Sequence, residues 1–191
     1  EGVLPAQPQG QGGLEVRLAQ APEITAGVPY VGIGDVFILA GQSNASGRGY
    51  NAQGYSHPYL KASVFGNDYN WHELTDPSDS NAGQVDQVSI DLEAGGSVWT
   101  LLAGHYMNAL NVPVAFVPAA KGGSSITAWL PTRNRTDRAT LYGSMLVRAR
   151  ITQARMILWW QGETDSLESM SGRDYQTYLG QFAAAVQRDL G

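Results

Sequence analysis

The chain has 191 residues, of which 43% are hydrophobic, and a formal net charge of -5. This length and composition suffice for one sizeable core and predict a single compact domain. The acidic balance argues against a nucleic-acid partner, which would require a basic surface. The sequence contains no cysteine, which excludes disulfides and thiolate metal sites.

No apolar run is long enough to span a bilayer, so we expect no membrane partner. The first residues lack the pattern of a signal peptide, which leaves the compartment open, and a secreted or periplasmic location is compatible with the composition.

The first 34 residues differ in composition from the rest of the chain. Residues 1–13 are rich in Gly, Pro and Gln and predict a linker or disordered lead. In residues 14–18, apolar and charged side chains alternate with the period of a half-buried strand. We therefore expect a short flanking β segment over residues 14–34, followed by the main domain over residues 35–191.

From residue 35 onward, strand and helix patterns alternate. Asp35 to Ala40 ends in a continuous apolar run, which is typical of a strand buried on both faces of a parallel sheet. Residues 47–96 are dominated by Gly, Asn, Asp, Ser and Tyr and predict a long loop that shapes a site. The remaining patterns predict a helix over 97–110, a strand over 112–119, a helix over 139–153, a strand over 155–160 and a helix over 173–190. This alternation predicts an α/β fold with a parallel, doubly wound sheet.

Three unusual segments directly follow the three predicted strands. They are Gly41-Gln42-Ser43-Asn44, Lys121-Gly122-Gly123-Ser124-Ser125 and Gln161-Gly162-Glu163-Thr164-Asp165. Because ligands bind at the carboxyl ends of the strands in such sheets, we expect these segments to meet at one edge.

Together the three segments contain the parts that acyl transfer requires. Ser43 offers a hydroxyl that can attack a carbonyl carbon. A glycine at Gly122 or Gly123 lets the backbone approach a substrate closely and present an N–H group to a developing oxyanion. The side-chain amide of Gln161 can donate to the same oxyanion.

The same segments resemble the motifs of the sialate O-acetylesterase and acetylxylan esterase group within the SGNH hydrolase superfamily. The resemblance rests on residues 38–44, on residues 120–126 with Trp129, and on residues 159–165. It implies a flavodoxin-like three-layer fold with a parallel central sheet and no metal or other cofactor. It also implies a serine esterase that hydrolyses O-acetyl esters on carbohydrates through an acetyl-serine intermediate.

The resemblance assigns a role to each matching residue. Ser43 is the implied nucleophile, and its backbone amide lines the oxyanion hole together with Gly123. Gln161 adds its side-chain amide to that hole, at the position where other SGNH enzymes place an asparagine. Glu163 is a candidate to orient the catalytic histidine. The expected contacts to the acetylated glycan are made by Asn44, Ser124 and Trp129, of which Trp129 is expected to stack on a sugar ring.

A catalytic histidine in an Asp-x-x-His segment normally completes the site in this group, and the chain contains no such segment. His57 and His72 lie in the predicted loop, and His105 lies on the apolar face of the helix over 97–110, where a core histidine is expected. None matches the group's histidine. We therefore expect the chain to be C-terminally incomplete, with the base supplied by a missing segment or by a second chain.

Two other functions stay open at this point. A catalytically inactive carbohydrate-binding relative would keep the fold without the base. A glycosidase would use paired carboxylates, Glu163 with Asp165 or Asp91 with Glu93, but it leaves Ser43 without a role. Six arginines between positions 133 and 155 suggest either a site for an anionic sugar or a solvated helix face.

Overall fold

The structure, a computed structural model, describes residues 7–191. It begins with an antiparallel ribbon of β1 (Gly10–Leu18) and β2 (Ala21–Ile33), which form a two-stranded sheet of their own. Strand β1 starts inside the predicted lead, so the assignment of residues 10–13 to a linker is wrong, whereas residues 1–6 lie outside the described part. Val16 and Leu18 are more than half exposed, so the predicted half-buried face is also wrong: backbone pairing forms this ribbon, not burial.

The central sheet contains five strands in the order β5-β4-β6-β3-β7. They are β3 (Asp35–Gly41), β4 (Ser63–Phe65), β5 (Trp71–Glu73), β6 (Val114–Pro118) and β7 (Met156–Trp160). All neighbours pair in parallel except β5, which is antiparallel to β4. The predicted α/β class with a mostly parallel sheet is confirmed. Strands β4 and β5 lie within the predicted long loop, because three residues are too few to show a period.

The described residues form five α-helices: α1 (Ser43–Ser46), α2 (Val98–Leu110), α3 (Leu141–Thr152), α4 (Glu163–Leu167) and α5 (Gly172–Leu190). The three long helices were predicted and are confirmed. Ser97 caps α2 by accepting the N–H of Trp99, and Ser171 caps α5 by accepting the N–H of Asp174. Thr140 caps α3 in the same way.

Helices cover both faces of the sheet, which gives three layers. On β3, Phe37 and Leu39 belong to a core cluster with residues of α2, whereas Ile38 and Ala40 belong to a second cluster with residues of α3 and α5. A strand covered on both faces needs apolar side chains at every position, which explains the continuous apolar run of β3.

Helix α2 buries a different face from the predicted one. Trp99, Ala103 and Met107 are buried at a spacing of four residues, with Trp99 and Met107 flanking the small Ala103. The residues predicted to face the core are exposed: Val98, Leu101, Leu102, His105 and Ala109. The prediction that His105 is a core histidine is therefore wrong, because packing on the sheet selects the stripe that contains Trp99.

A buried polar network anchors the long segment between α1 and α2 to α3. The fully buried guanidinium of Arg148 bonds the side chains of Asp86, Asn67 and Ser89. Asn67 also donates to Asp79 at 2.7 Å. Asp79 is itself buried, and this burial raises its pKa to about 6. Much of the predicted loop is therefore packed structure.

Candidate active site

The loops that follow β3, β6 and β7 are joined by backbone hydrogen bonds. Gln42 N donates to Trp160 O, and Lys121 N donates to Gly41 O, each at 3.0 Å. Gly41 has a φ of +131°, and a Cβ atom there would lie 2.0 Å from Trp160 O, so only glycine allows this approach. The prediction that the three segments meet at one edge of the sheet is confirmed. This edge is the point where strand order reverses around β3, with β6 on one side and β7 on the other.

Ser43 opens α1 at this edge and is partly exposed. Its hydroxyl forms no hydrogen bond with another residue in the range 7–191. Its backbone N–H belongs to the first turn of the helix, where N–H groups lack intrahelical partners. The residue therefore presents both a free hydroxyl and a backbone donor.

The glycine pair after β6 contains two glycines with different requirements. Gly122 N donates to Asp91 Oδ2 at 3.1 Å, and a Cβ atom on Gly122 would lie 1.9 Å from Arg48 Nη2. Gly123 has a φ of +73°, and a Cβ atom there would have nothing within 4 Å. Packing thus requires the first glycine and backbone conformation favours the second. Gly123 is exposed, and its N–H has no hydrogen-bond partner among the described residues.

An ion pair that the sequence analysis did not identify supports this loop. Arg48 Nη2 donates to both oxygens of Asp91, at 2.8 and 3.0 Å, and the Asp91 side chain is 1% exposed. Burial acts to raise the pKa of Asp91, but hydrogen bonds from Arg48 and from the N–H of Glu93 outweigh it and lower the pKa. The arginine shortly after the nucleophile motif was the available signal, but its acidic partner lies 43 residues away.

Gln161 has different partners from those predicted. Its Nε2 donates to Ser124 O at 2.9 Å and to the carboxylate of Asp165, and it lies 3.3 Å from Gln42 Oε1. Its Oε1 accepts the hydroxyl of Tyr175 at 2.9 Å. Both amide hydrogens are thus committed within the protein, and the predicted role of Gln161 as an oxyanion donor is wrong for this arrangement. Gln161 instead connects the loops after β6 and β7.

Gln42, beside the nucleophile, joins the same loops and was also missed. Its buried Oε1 accepts the N–H groups of Thr164 at 3.1 Å and Gly162 at 3.3 Å. The side chain therefore ties the start of α1 to the start of α4. Its place next to Ser43 in the motif was the only sequence signal.

Two of the expected substrate contacts lie in the interior. Trp129 is 0% exposed and packs edge-on against Trp159, with ring centroids 5.2 Å apart. Its indole N–H donates to the hydroxyl of the buried Ser124 at 3.0 Å. The predictions of sugar stacking by Trp129 and substrate binding by Ser124 are therefore wrong, because the large ring is drawn into the core and occupies the serine hydroxyl.

The other expected contact, Asn44, is exposed and donates to Glu163 Oε1. The second oxygen, Glu163 Oε2, is buried and has no hydrogen-bond partner among the described residues. A buried carboxylate oxygen without a donor costs free energy, so this atom is suited to accept an N–H or O–H group. Through its other oxygen, Glu163 contacts Asn44, the residue that follows Ser43.

The carboxylate pairs proposed for a glycosidase are not free pairs. Asp165 is 1% exposed and accepts the N–H of Ile126 at 3.0 Å and the hydroxyl of Ser125 at 2.8 Å. Asp91 is also buried, and it is held by its ion pair with Arg48. Each pair thus has one member that is committed to the fold, and the geometry does not favour glycoside cleavage.

None of the three histidines forms a hydrogen bond with Ser43 within residues 7–191. His57 Nδ1 accepts the backbone N–H of Leu60 at 2.9 Å. His72 Nε2 lies 3.0 Å from Asp68, and His105 is exposed on α2. A base for Ser43 is therefore not in place in the described part of the chain.

Five of the six arginines between positions 133 and 155 have partners inside the protein. Arg135 pairs with Asp189, and Arg155 pairs with Asp35. Arg138 and Arg148 both pair with Asp86, and Arg150 donates to Asp189 O. The hypothesis of an anionic sugar site there is not supported. The alternative of a solvated face also fails for Arg148, which is fully buried.

Residues 7–191 contain neither a metal-binding cluster nor a membrane-spanning helix. No three His, Asp or Glu side chains converge there as a metal site requires. No helix in that range combines the length and the apolar character needed to cross a membrane.

The chain is similar to known proteins in both sequence and fold. Over 94% of its length, this chain is 25% identical to a protein of Arabidopsis thaliana named "Probable carbohydrate esterase", of which the match covers 72%. An Arabidopsis thaliana protein structure matches with a TM-score of 0.63 at 23% identity, over 82% of this chain and 69% of that one.

Two further solved structures share the fold. A carbohydrate acetylesterase from Xanthomonas citri matches with a TM-score of 0.61 at 18% identity, over 98% of this chain and 46% of that one. NanS matches with a TM-score of 0.55 at 20% identity, over 82% of this chain and 62% of that one. A family model described as carbohydrate esterase, sialic acid-specific acetylesterase, matches residues 33–191. The chain belongs to this family of carbohydrate esterases.

Proposed function

We propose that the protein is a serine esterase of the SGNH type that hydrolyses O-acetyl esters on carbohydrates, with Ser43 as the nucleophile. The observation that carries the proposal is the meeting of a free Ser43 hydroxyl, the open N–H of Gly123 and the carboxylate of Glu163 at one edge of the sheet. Membership of a carbohydrate esterase family supports the substrate class.

In the proposed reaction, Ser43 Oγ attacks the carbonyl carbon of the acetyl ester. The carbonyl oxygen becomes an oxyanion, which the backbone N–H groups of Ser43 and Gly123 stabilise. Each such donor contributes roughly 3 kcal/mol in the transition state. The intermediate collapses to an acetyl-serine and the sugar hydroxyl leaves with a proton. Water then attacks the acetyl-serine, which releases acetate and restores Ser43.

The proton transfers in both steps require a general base, because a serine hydroxyl alone is a weak nucleophile. We assign this role to a histidine outside residues 1–191, supplied by a further segment of the same protein or by a second chain. Glu163 supports this assignment, since its carboxylate bonds Asn44, the residue that follows the nucleophile, and its Oε2 has no donor within residues 7–191. An imidazole N–H bonded there would be oriented as the carboxylate of a catalytic triad orients its histidine.

Acetate release tests the proposal directly. The natural full-length protein, incubated with an O-acetylated glycan, is expected to release acetate without producing new reducing ends. Ser43→Ala should abolish this release and leave the melting temperature close to that of the wild type. Full activity in the Ser43→Ala variant would overturn the assignment of the nucleophile.

A catalytically inactive carbohydrate-binding protein is the second candidate, and one observation favours it. No histidine in the described part of the chain forms a hydrogen bond with Ser43. Binding of the glycan by the full-length protein, with no acetate release, would select this candidate. Release of reducing sugar would instead select a glycosidase.

A further inference from the structure

An open groove of about 590 Å³ adjoins Asn44, the residue that follows the nucleophile. Two exposed aromatic side chains line it: Tyr50 is fully exposed, and Trp160, at the end of β7, is 42% exposed. Val98 and Leu101 on α2 contribute further apolar surface, each more than 40% exposed. Apolar side chains concentrated in one exposed concave place are typical of a binding site.

Amide side chains supply the polar part of the groove. Asn44, Asn51 and Gln53 line it, and amide groups both donate and accept hydrogen bonds, as sugar hydroxyls do. The segment that carries Asn51 and Gln53 is held in place, because Gln53 N donates to Asp76 Oδ2 at 2.8 Å and the Gln53 side chain donates to Asn51 O at 2.9 Å. Exposed rings beside fixed amides match a ligand that has apolar C–H faces and hydroxyl edges.

The charges around the groove oppose an anionic ligand. Arg48 lines the groove, but its guanidinium is paired with both Asp91 and Glu93. Asp76 adds a third carboxylate, which accepts the N–H of Ser97 at 2.8 Å. None of these three carboxylates lines the groove, but each bonds a residue that does, so the charge next to the groove is net negative. A sugar that carries its own carboxylate would be repelled here, whereas an uncharged sugar would not.

We propose that this groove binds the sugar units adjacent to the acetylated one, and that the preferred substrate is an uncharged O-acetylated oligosaccharide. The inference rests on the proposed function, since the acetyl group must reach Ser43 while its neighbours occupy the groove. Tyr50 and Trp160 provide stacking surfaces, and the amides select hydroxyl groups. Asn44 lines the groove and directly follows Ser43, so the groove and the reactive serine are neighbours.

The test compares ester hydrolysis on substrates of different size. In the natural full-length protein, Tyr50→Ala and Trp160→Ala should each lower kcat/KM for a neutral O-acetylated oligosaccharide by roughly 3- to 10-fold. Hydrolysis of a small chromogenic acetyl ester should change little, because that ester does not reach the groove. Trp160→Phe should recover much of the oligosaccharide activity, since a ring is retained.

Two matched controls carry exposed aromatic residues that do not line the groove. Tyr59→Ala and Trp71→Ala are expected to leave the ratio of the two activities at the wild-type value. Equal losses on both substrates in the groove variants, or no loss on either, would overturn the proposal. So would faster hydrolysis of an O-acetylated sugar acid than of the neutral oligosaccharide.

A binding measurement separates this inference from the proposed function. The deacetylated neutral oligosaccharide, titrated calorimetrically, should bind the wild type more tightly than Tyr50→Ala. This result together with no acetate release would support the groove and refute the esterase. Acetate release with equal oligosaccharide binding by both proteins would support the esterase and refute the groove.

Discussion

Asp91 accepts hydrogen bonds from Arg48 and from the backbone N–H of Gly122 at the same time, at 2.8 and 3.1 Å. Arg48 lies just beyond α1, which carries Ser43, and Gly122 precedes Gly123 in the loop after β6. One buried carboxylate therefore connects the element of the nucleophile with the element of the proposed oxyanion donor. Its role is to position these groups, because it contacts backbone and arginine instead of the reacting atoms.

Replacing this carboxylate should slow the chemical step. We expect Asp91→Ala to lower kcat for acetate release by about 100-fold, comparable to the loss of one oxyanion donor, while KM changes little. Asp91→Asn, which keeps an acceptor for Gly122, should recover part of kcat. Steady-state kinetics with melting curves provide the measurement, and substitution of the exposed Glu23, Glu23→Gln, is the control. A variant whose kcat and melting temperature both match the wild type would contradict the positioning role.

Glu163→Gln should impair catalysis without disturbing the fold. The amide can still bond Asn44, but a glutamine Nε2 in place of Oε2 cannot accept an N–H from the proposed histidine. We expect kcat to fall at least about 100-fold. The exposed Glu168, at the end of α4, supplies the control variant Glu168→Gln, which should retain wild-type activity. An equal effect of both substitutions would remove Glu163 from the proposed mechanism.

Two Gly→Ala substitutions should have opposite effects on stability. At Gly122, the new Cβ atom would lie 1.9 Å from Arg48 Nη2 and 2.7 Å from Asp91 Oδ2, so the ion pair must separate. We expect a loss of about 1–3 kcal/mol in the free energy of unfolding, together with lower kcat. Gly172→Ala, at the start of α5, meets no atom within 4 Å and should stabilise the protein by up to about 1 kcal/mol. Urea unfolding measures both, and normal activity of Gly122→Ala would show that the loop does not depend on the pair.

Asp79 should make the stability depend on pH in an identifiable way. Burial raises its pKa to about 6 from 3.8, so the native state holds this proton more tightly than the unfolded chain. The group therefore destabilises the fold as the pH rises from about 4 to about 6. Asp79→Asn removes this effect and should gain stability relative to the wild type over that range, by about 3 kcal/mol at most.

Urea unfolding of both proteins at several pH values measures this difference. Asp68→Asn should show the opposite trend, because the hydrogen bond from His72 lowers the pKa of Asp68 and stabilises the fold above its unfolded pKa. A stability difference between Asp79→Asn and the wild type that stays constant from pH 4 to 7 would contradict the assignment.

The order of elements was predictable because it follows local patterns. The apolar run of β3 and the capping serines of α2 and α5 are visible within a few residues, and chain topology then brings the three motifs together. The three-layer packing follows from the same patterns. Strands β4 and β5 were missed because their pairing partners, not their own composition, define them.

The details of the site were less predictable because they depend on contacts distant in sequence. Ser124 O, which takes one amide hydrogen of Gln161, lies 37 residues away, and nothing in the motif marks Asp165, four residues on, as the acceptor of the other. Likewise, the motif that contains Trp129 is consistent with a ring that stacks on a sugar and with a ring that packs in the core. Only the contact with Trp159 in the folded chain shows that the ring is in the core. Asp91 is 43 residues from Arg48, so their pairing became visible only in three dimensions.

The ribbon of β1 and β2 has a practical consequence for experiments on this protein. It joins β3 at Asp35, whereas Ser43 follows the other end of that strand, roughly 20 Å away for seven residues. The turn at Ala19 and Gln20 therefore offers a place for a fluorescent label or a surface tether. Immobilisation through this turn should leave the reactive edge accessible to large glycans, which would allow their binding to be followed on a sensor chip.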